Sequence, residues 1–269
     1  MTLGGLTGHN REWLAELNRK AKGPFTLTFI AETLGVSKAK AKSLAIFWVT
    51  QGWLTRIKRG LYTKVSLGTM QPGAQREDPL LVANAVFAPC YIGGWTACEH
   101  WDFTEQIFSD VVVFTTRRYN SRERRIQGIN YIVNTISPKR FYGLKTVWQG
   151  AIKIAISDPS RTIIDIIDNP SIGGGIRNVT DMVNEYFEGD ERNDKTLIGY
   201  LSSFGNRVIY KRLGYLIEYL NINAPEILKI CYELRSSGYS MLDPILPLKG
   251  KTIRRWNLRL NASLEGALK

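Results

Sequence analysis

The run Ser37-Lys38-Ala39-Lys40-Ala41-Lys42-Ser43 sets three lysines between two serines, and a second cationic group, Arg56, Lys58 and Arg59, follows it. Ammonium and guanidinium groups at this density bind oxyanions, and the nucleic-acid versions of that chemistry are phosphate contacts and acceptors on base edges. On a helix starting after Ser37, Ala39, Lys40, Lys42 and Ser43 lie opposite the apolar side. The first turns of such a helix are the ones that reach bases in a groove. Lysine suits guanine O6/N7 or a phosphate, and serine tolerates several partners. The Ser37 hydroxyl is claimed both by the helix cap and by any contact. Lys38 projects toward the edge of the apolar stripe, which leaves it a phosphate at most.

The surrounding elements supply the frame. Thr28 is positioned to cap a short helix, Phe29 to Leu34, that stops at Gly35, and Ser37 a second that runs to about Gln51. In the second helix Ala41, Leu44, Ala45, Trp48 and Val49 follow i, i+3, i+4, i+7, i+8 spacing, one buried stripe. Ile46 and Phe47 lie off that stripe and are expected to pack on a first helix, about Asn10 to Ala21, or on the hairpin. Gly52 ends the second helix; strands Trp53–Ile57 and Leu61–Val65 follow, joined by Lys58-Arg59-Gly60, where glycine supplies the positive φ of a tight turn. Two helices at a sharp angle with a hairpin attached read as a winged helix-turn-helix over 1–68.

Charge is concentrated in the same region. Residues 1–66 hold eleven basic side chains against Glu12, Glu16 and Glu32, and so carry eight of the net +12 charges. Such asymmetry points to a polyanionic partner, nucleic acid or an anionic surface. The 269 residues suit roughly two domains. No apolar run approaches the ~18 residues of a membrane span, and no signal peptide is visible, so a cytoplasmic protein without membrane contact is expected. Cys90, Cys98 and Cys231 are odd in number and lack metal-ligand spacing with His9 or His100.

Residues 69–77 read as a linker and 78–269 as a second domain opening at Asp78-Pro79. Leu80–Phe87 reads as helix, Cys90–Ile92 as a short strand, and Trp95–His100 as one or two helical turns. Val111–Thr115, Ile129–Thr135 and Ile152–Ile156 are β-rich. Helices are expected at Ser160–Ile167, Val179–Phe187, Lys195–Ser203, Arg207–Leu220 and Pro225–Arg235. The expected class is α+β: a winged helix-turn-helix followed by a larger mixed α/β domain with a small sheet and C-terminal helices.

Other constellations carry less. Arg161 and Asp165 stand four apart on a helix capped by Asp158, the spacing of an exposed or half-buried ion pair. Cys98 and His100, two apart, point to different sides of a helix, and His100 among aromatics reads as a packed histidine. Gly173-Gly174-Gly175 lacks the Lys-Ser/Thr of a phosphate loop. Two further basic clusters, Arg117, Arg118, Arg122, Arg124 and Arg125, and Lys249, Lys251, Arg254, Arg255 and Arg259, each could extend a DNA footprint, contact RNA or receive an acidic protein; Trp256 offers the second a stacking platform.

The run I30-A-E-T-L-G-V-S37 with G52-W-L-T-R-I-K-R-G-L-Y62 resembles AbiEi-type antitoxins of AbiE (type IV) toxin–antitoxin systems. So do D78-P-L-L-V-A-N-A, Y91-I-G-G-W-T-A-C-E-H-W-D-F-T-E-Q105, V111-V-V-F-T-T116 and I156-S-D-P-S-R-T-I-I-D165, in the same order along most of the chain up to about Val179. The resemblance implies a bacterial or phage-related phage-defence protein encoded beside a nucleotidyltransferase-like toxin. It implies a winged helix that binds inverted repeats in its own promoter as a repressor, and a second domain that counteracts the toxin directly or indirectly. No catalytic motif and no cofactor are implied. The chain is expected to be a monomer or weak dimer that cooperates on DNA. A DNA-acting enzyme such as a nuclease and a ligand-sensing regulator are the alternatives.

Overall fold

The computed structural model describes residues 8–65 and 76–264. The expected linker, 69–77, lies outside the described residues apart from Arg76 and Glu77.

Three helices, α1 (Gly8–Lys20), α2 (Leu27–Leu34) and α3 (Lys38–Thr50), pack with a three-stranded sheet of β1 (Phe25–Thr26), β2 (Leu54–Lys58) and β3 (Leu61–Lys64). The cap of α2 is Thr26, whose hydroxyl accepts from Phe29 N, and not Thr28; the helix starts earlier because Leu27 packs against the core of this unit. Gly35 ends α2 in the left-handed region, at φ 64°, a conformation glycine adopts without a Cβ clash. Ser37 then caps α3 through Lys40 N. Ala41, Leu44, Ala45 and Trp48 enter the core with Leu14, Leu17 and Ile30, as the stripe requires, and Val49 is half-buried beside them.

Beyond Asp78, which caps α4 (Pro79–Phe87) through Leu80 N and Leu81 N, the chain builds a six-stranded mixed sheet. Its strands are β4 (Cys90–Ile92), β5 (Val111–Thr115), β6 (Glu123–Ile126), β7 (Ile129–Thr135), β8 (Leu144–Gln149) and β9 (Ile152–Ser157), in the order β6-β7-β5-β4-β9-β8. The sheet is larger than expected: both edge strands, β6 and β8, are polar enough to read as loop, and pairing with β7 and β9 makes them strands. The face formed by Val113, Tyr131, Ile154 and Ile156 packs on α4, while Tyr91, Val112 and Phe114 line the other. Short α5 (Gly94–His100) follows β4. Helices α6 (Pro159–Asp168), α7 (Ile176–Glu188), α8 (Asp194–Phe204), α9 (Val208–Tyr219) and α10 (Pro225–Leu234) form the largest core, closed by a small sheet of β10 (Ser240–Met241), β11 (Lys251–Ile253) and β12 (Leu258–Leu260). The mixed α+β composition is as expected. Among the described residues no helix is long and apolar enough to cross a membrane.

The N-terminal unit sits against the α4 side of the six-stranded sheet. Ile57 and Leu61 of the β2–β3 hairpin are buried in one cluster with Val82, Val86 and Phe87. Gly23 lies so near Ile152 that a Cβ there would stand 2.3 Å from the isoleucine Cδ1.

Candidate nucleic-acid interface

On α3 the residues singled out from the sequence stand together in solvent: Ser37, Lys38, Ala39, Lys40, Lys42 and Ser43 are all exposed. Their freedom differs. The Ser37 hydroxyl accepts from Lys40 N at 3.2 Å, and Ser43 Oγ donates to Ala39 O at 3.2 Å, so Ser43 keeps only acceptor capacity. Lys38, Lys40 and Lys42 make no ion pair with a carboxylate among the described residues. The helix start adds the partial positive charge of its free amides to the same spot. Ile46 and Phe47 are 54% and 45% exposed, contrary to their expected packing; Phe47 borders an open groove with Trp13 and His9.

In the hairpin Arg56, Lys58 and Arg59 are all exposed, and Lys58 leans onto the larger unit, its Nζ donating to Val86 O at 3.3 Å. The cause is a register shift between Arg56 and Lys58 in the β2–β3 ladder. A bulge re-aims the side chains that follow it. Leu54 and Ile57, three apart, fall on opposite faces by ordinary strand alternation, Leu54 in the core of the N-terminal unit and Ile57 in the sheet cluster. The bulge turns Lys58 to the face of its partner Leu61. The Lys58 ammonium is held below its usual pKa by burial first and then by Arg117 and Arg124.

The five arginines of 117–125 are exposed but not one patch. Arg124 lies opposite Tyr131 on the α4 side and stacks over Tyr119 at 5.4 Å, while Arg125 lies opposite Asn130 on the other side. Arg122 borders a polar cleft of about 280 Å³ beside Asn134, Arg140, Asp168 and Asn169. In the tail, Arg254 is exposed, Arg255 pairs with Glu218, and Trp256 is fully buried with its Nε1 donating to Glu218 Oε2 at 2.6 Å. Trp256 is thus an anchor of the helical core and not the stacking platform expected from the sequence.

The cleft is floored by a group whose burial the sequence did not announce. Arg161 and Asp165, expected to be exposed or half-buried, are 0% and 3% exposed. Arg161 Nε donates to Asp165 Oδ1 at 3.0 Å and its Nη2 to the Tyr91 hydroxyl at 3.0 Å, and that hydroxyl donates to Asp165 Oδ2 at 3.1 Å. Nη1 reaches Tyr142 O. Burial pushes the Asp165 carboxyl up to about 6 against the pull of Arg161 and Tyr91, and burial likewise raises the Tyr91 hydroxyl. Each oxygen of the group has a hydrogen-bond partner, and the arrangement ties β4 to α6. Asp158 caps α6 through Arg161 N, as its place before Pro159 suggested, and also accepts from the Tyr200 hydroxyl at 2.6 Å. His100 is exposed on one side and packs edge-on against Trp101, and burial lowers its pKa. Gly173, Gly174 and Gly175 lie in and after a short 3₁₀ turn, the ordinary loop expected.

Among the described residues no three acidic, cysteine or histidine side chains are grouped to hold a metal ion. No protein-family model matches the chain, and no curated protein matches it.

Proposed function

We propose that the chain is a winged helix-turn-helix DNA-binding protein of the antitoxin kind: an autorepressor that grips inverted repeats in its own promoter and counteracts a nucleotidyltransferase-like toxin, directly or indirectly, through residues 78–269. The observation that carries it is the exposed amino half of α3, where Lys38, Lys40 and Lys42 stand in solvent around a capped helix start and make no ion pair among the described residues. Unpaired lysines at a helix start suit phosphate oxygens and guanine edges, and Arg56 and Arg59 of the hairpin add two backbone contacts. The protein needs no cofactor for this and acts as a monomer or weak dimer that cooperates on the repeats.

The test is binding of the full chain to its upstream intergenic fragment across a salt series. With about five cations on phosphates, log K falls against log salt with a slope near −4 to −5. Rescue of growth in cells expressing the neighbouring nucleotidyltransferase-like gene is the expected second result. No binding even in dilute buffer would overturn the DNA reading, and no rescue the antitoxin reading.

A second reading rests on the polar cleft. Arg122, Arg140 and Asn134 face a space of about 280 Å³ at the low end of small-molecule sites, which suits a regulator whose DNA affinity responds to a small anion. A change in promoter affinity on adding nucleotides or inorganic phosphate would favour it.

A further inference from the structure

Lys58 of the hairpin and Tyr119 of the larger unit meet at a single carbonyl, with Arg124 over the tyrosine ring and Arg117 at the start of the same segment. Val86 O accepts from Lys58 Nζ at 3.3 Å and from the Tyr119 hydroxyl at 3.4 Å, and the Arg124 guanidinium lies over the ring of that same tyrosine at 5.4 Å. Arg117 follows from a turn anchored on Thr115, whose Oγ1 bonds both Phe87 O and Pro89 O as well as Arg117 N. The hairpin is fixed here by Ile57 and Leu61 in the sheet cluster, which holds the backbone that carries Lys58 against the larger unit.

We infer that Lys58, Arg117 and Arg124 form one cationic ridge with Arg59, built from both units, and that it binds the backbone of the same DNA duplex that α3 reads. The inference rests on the DNA reading above and extends it: the larger unit is part of the footprint.

Three observations support it. None of these four cations has a carboxylate within ion-pair distance among the described residues, although the same chain pairs Arg140, Arg161, Arg192 and Arg255. The Lys58 ammonium is held below its usual pKa by burial first and then by Arg117 and Arg124, so the two arginines lie near enough to oppose its charge, and an incoming anion relieves that opposition. The ridge also displays no large exposed apolar side chain: Tyr119 is half-buried under Arg124, and the exposed aliphatic and aromatic residues, such as Trp148, Ile245 and Leu248, lie elsewhere. A protein interface needs an apolar centre, whereas a row of phosphates needs only charge at fixed spacing.

The experiment uses the full chain, its upstream fragment and an unrelated duplex of equal length. Three proteins are compared across salt: wild type, Arg117→Ala/Arg124→Ala and Arg117→Lys/Arg124→Lys. An unchanged thermal midpoint certifies each fold. With the ridge added to the five cations counted above, the wild-type slope is expected at about −6 to −7. The alanine pair is expected to lower affinity about equally on both duplexes, by about tenfold or more, and to make the slope shallower by about 2, because two phosphate contacts are lost. The lysine pair keeps the charge and is expected to keep the slope. If wild type binds with strong salt dependence and the alanine pair matches it, the ridge is overturned while the DNA reading stands. If the alanine pair binds DNA normally but fails to rescue growth against the toxin, the ridge serves a protein instead, and the inference is again overturned. If wild type itself shows no salt-dependent binding, the DNA reading falls, and the inference with it.

Discussion

Residues 117–125 and 249–259 carry five basic side chains each and one or more aromatic residues, and along the sequence they look interchangeable. In the fold they are opposites. In the first segment Tyr119 is half-buried, its ring sits under Arg124, and no arginine has a carboxylate partner among the described residues. In the second, Trp256 is fully buried against Gly214, where a Cβ would stand 2.2 Å from the indole, and Glu218 holds both the indole N–H and Arg255. The difference teaches that the place of the aromatic decides what its neighbouring cation does. Over half-buried Tyr119, Arg124 is left without a carboxylate among the described residues, whereas beside buried Trp256, Arg255 is tied to Glu218. Lys249, Lys251, Arg254 and Arg259 nevertheless make no ion pair among the described residues.

The sharpest way to break the contrast is Trp256→Ala. Removing a fully buried indole that fills the space over Gly214 should cost about 3–5 kcal/mol in denaturant unfolding. Promoter affinity, measured where the variant is still folded, should not change. A small stability loss together with weaker DNA binding would make the tail a surface after all.

Next comes Ile57→Ala at the other segment's neighbour. Ile57 is 8% exposed and packs with Val82, Val86 and Phe87, so its truncation should cost about 2–5 kcal/mol. Amide exchange in β2 and β3 should quicken more than in α3, whose core residues are Ala41, Leu44, Ala45 and Trp48. The same packing bears on any cut near residue 68: a fragment ending there exposes Ile57 and Leu61 and loses the seat of the hairpin.

What the sequence made legible was local. Ser37, Asp78 and Asp158 were readable as caps because a side-chain oxygen beside a helix start acts within three residues. The stripe of α3 was readable because its period is a property of one helix. Strands β6 and β8 were not: Glu123-Arg124-Arg125-Ile126 has no apolar alternation, and only the β7 ladder fixes it. The burial of Arg161 was hidden because its partner Tyr91 lies 70 residues away. One missed feature did leave a trace. Leu54 and Ile57 are three apart on a strand and so cannot share a face, which is the parity of a strand that turns two ways. That alternation foretells a strand buried on two sides and so the hairpin's docking, whereas the bulge that re-aims Lys58 is fixed only by the ladder with β3.

Smaller effects sharpen the contrast within the surface proposed to read DNA. Lys40→Ala should weaken promoter binding by about 1–3 kcal/mol and relax sequence preference, the signature of a base contact. Arg59→Ala should weaken binding to all duplexes alike and reduce the salt slope by about 1, the signature of a phosphate contact. Equal losses on promoter and unrelated DNA for Lys40→Ala would move that lysine from the bases to the backbone.

The smallest effect belongs to Arg255→Ala, and its smallness is informative. The Arg255–Glu218 pair is largely in water, with the arginine side chain 55% exposed, so its loss should change stability by less than about 1 kcal/mol. Glu218 retains its bond from the Trp256 indole, which keeps the carboxylate in place when the guanidinium goes. The salt slope of promoter binding should stay at the wild-type value, because an arginine already neutralised by a carboxylate releases no counter-ions from DNA. Placed beside Arg117→Ala/Arg124→Ala under the same conditions, this variant removes arginine charge from the segment that resembles the ridge in sequence alone. A shallower slope for Arg255→Ala would mean that the duplex competes successfully with Glu218, and the two segments would then differ in degree and not in kind.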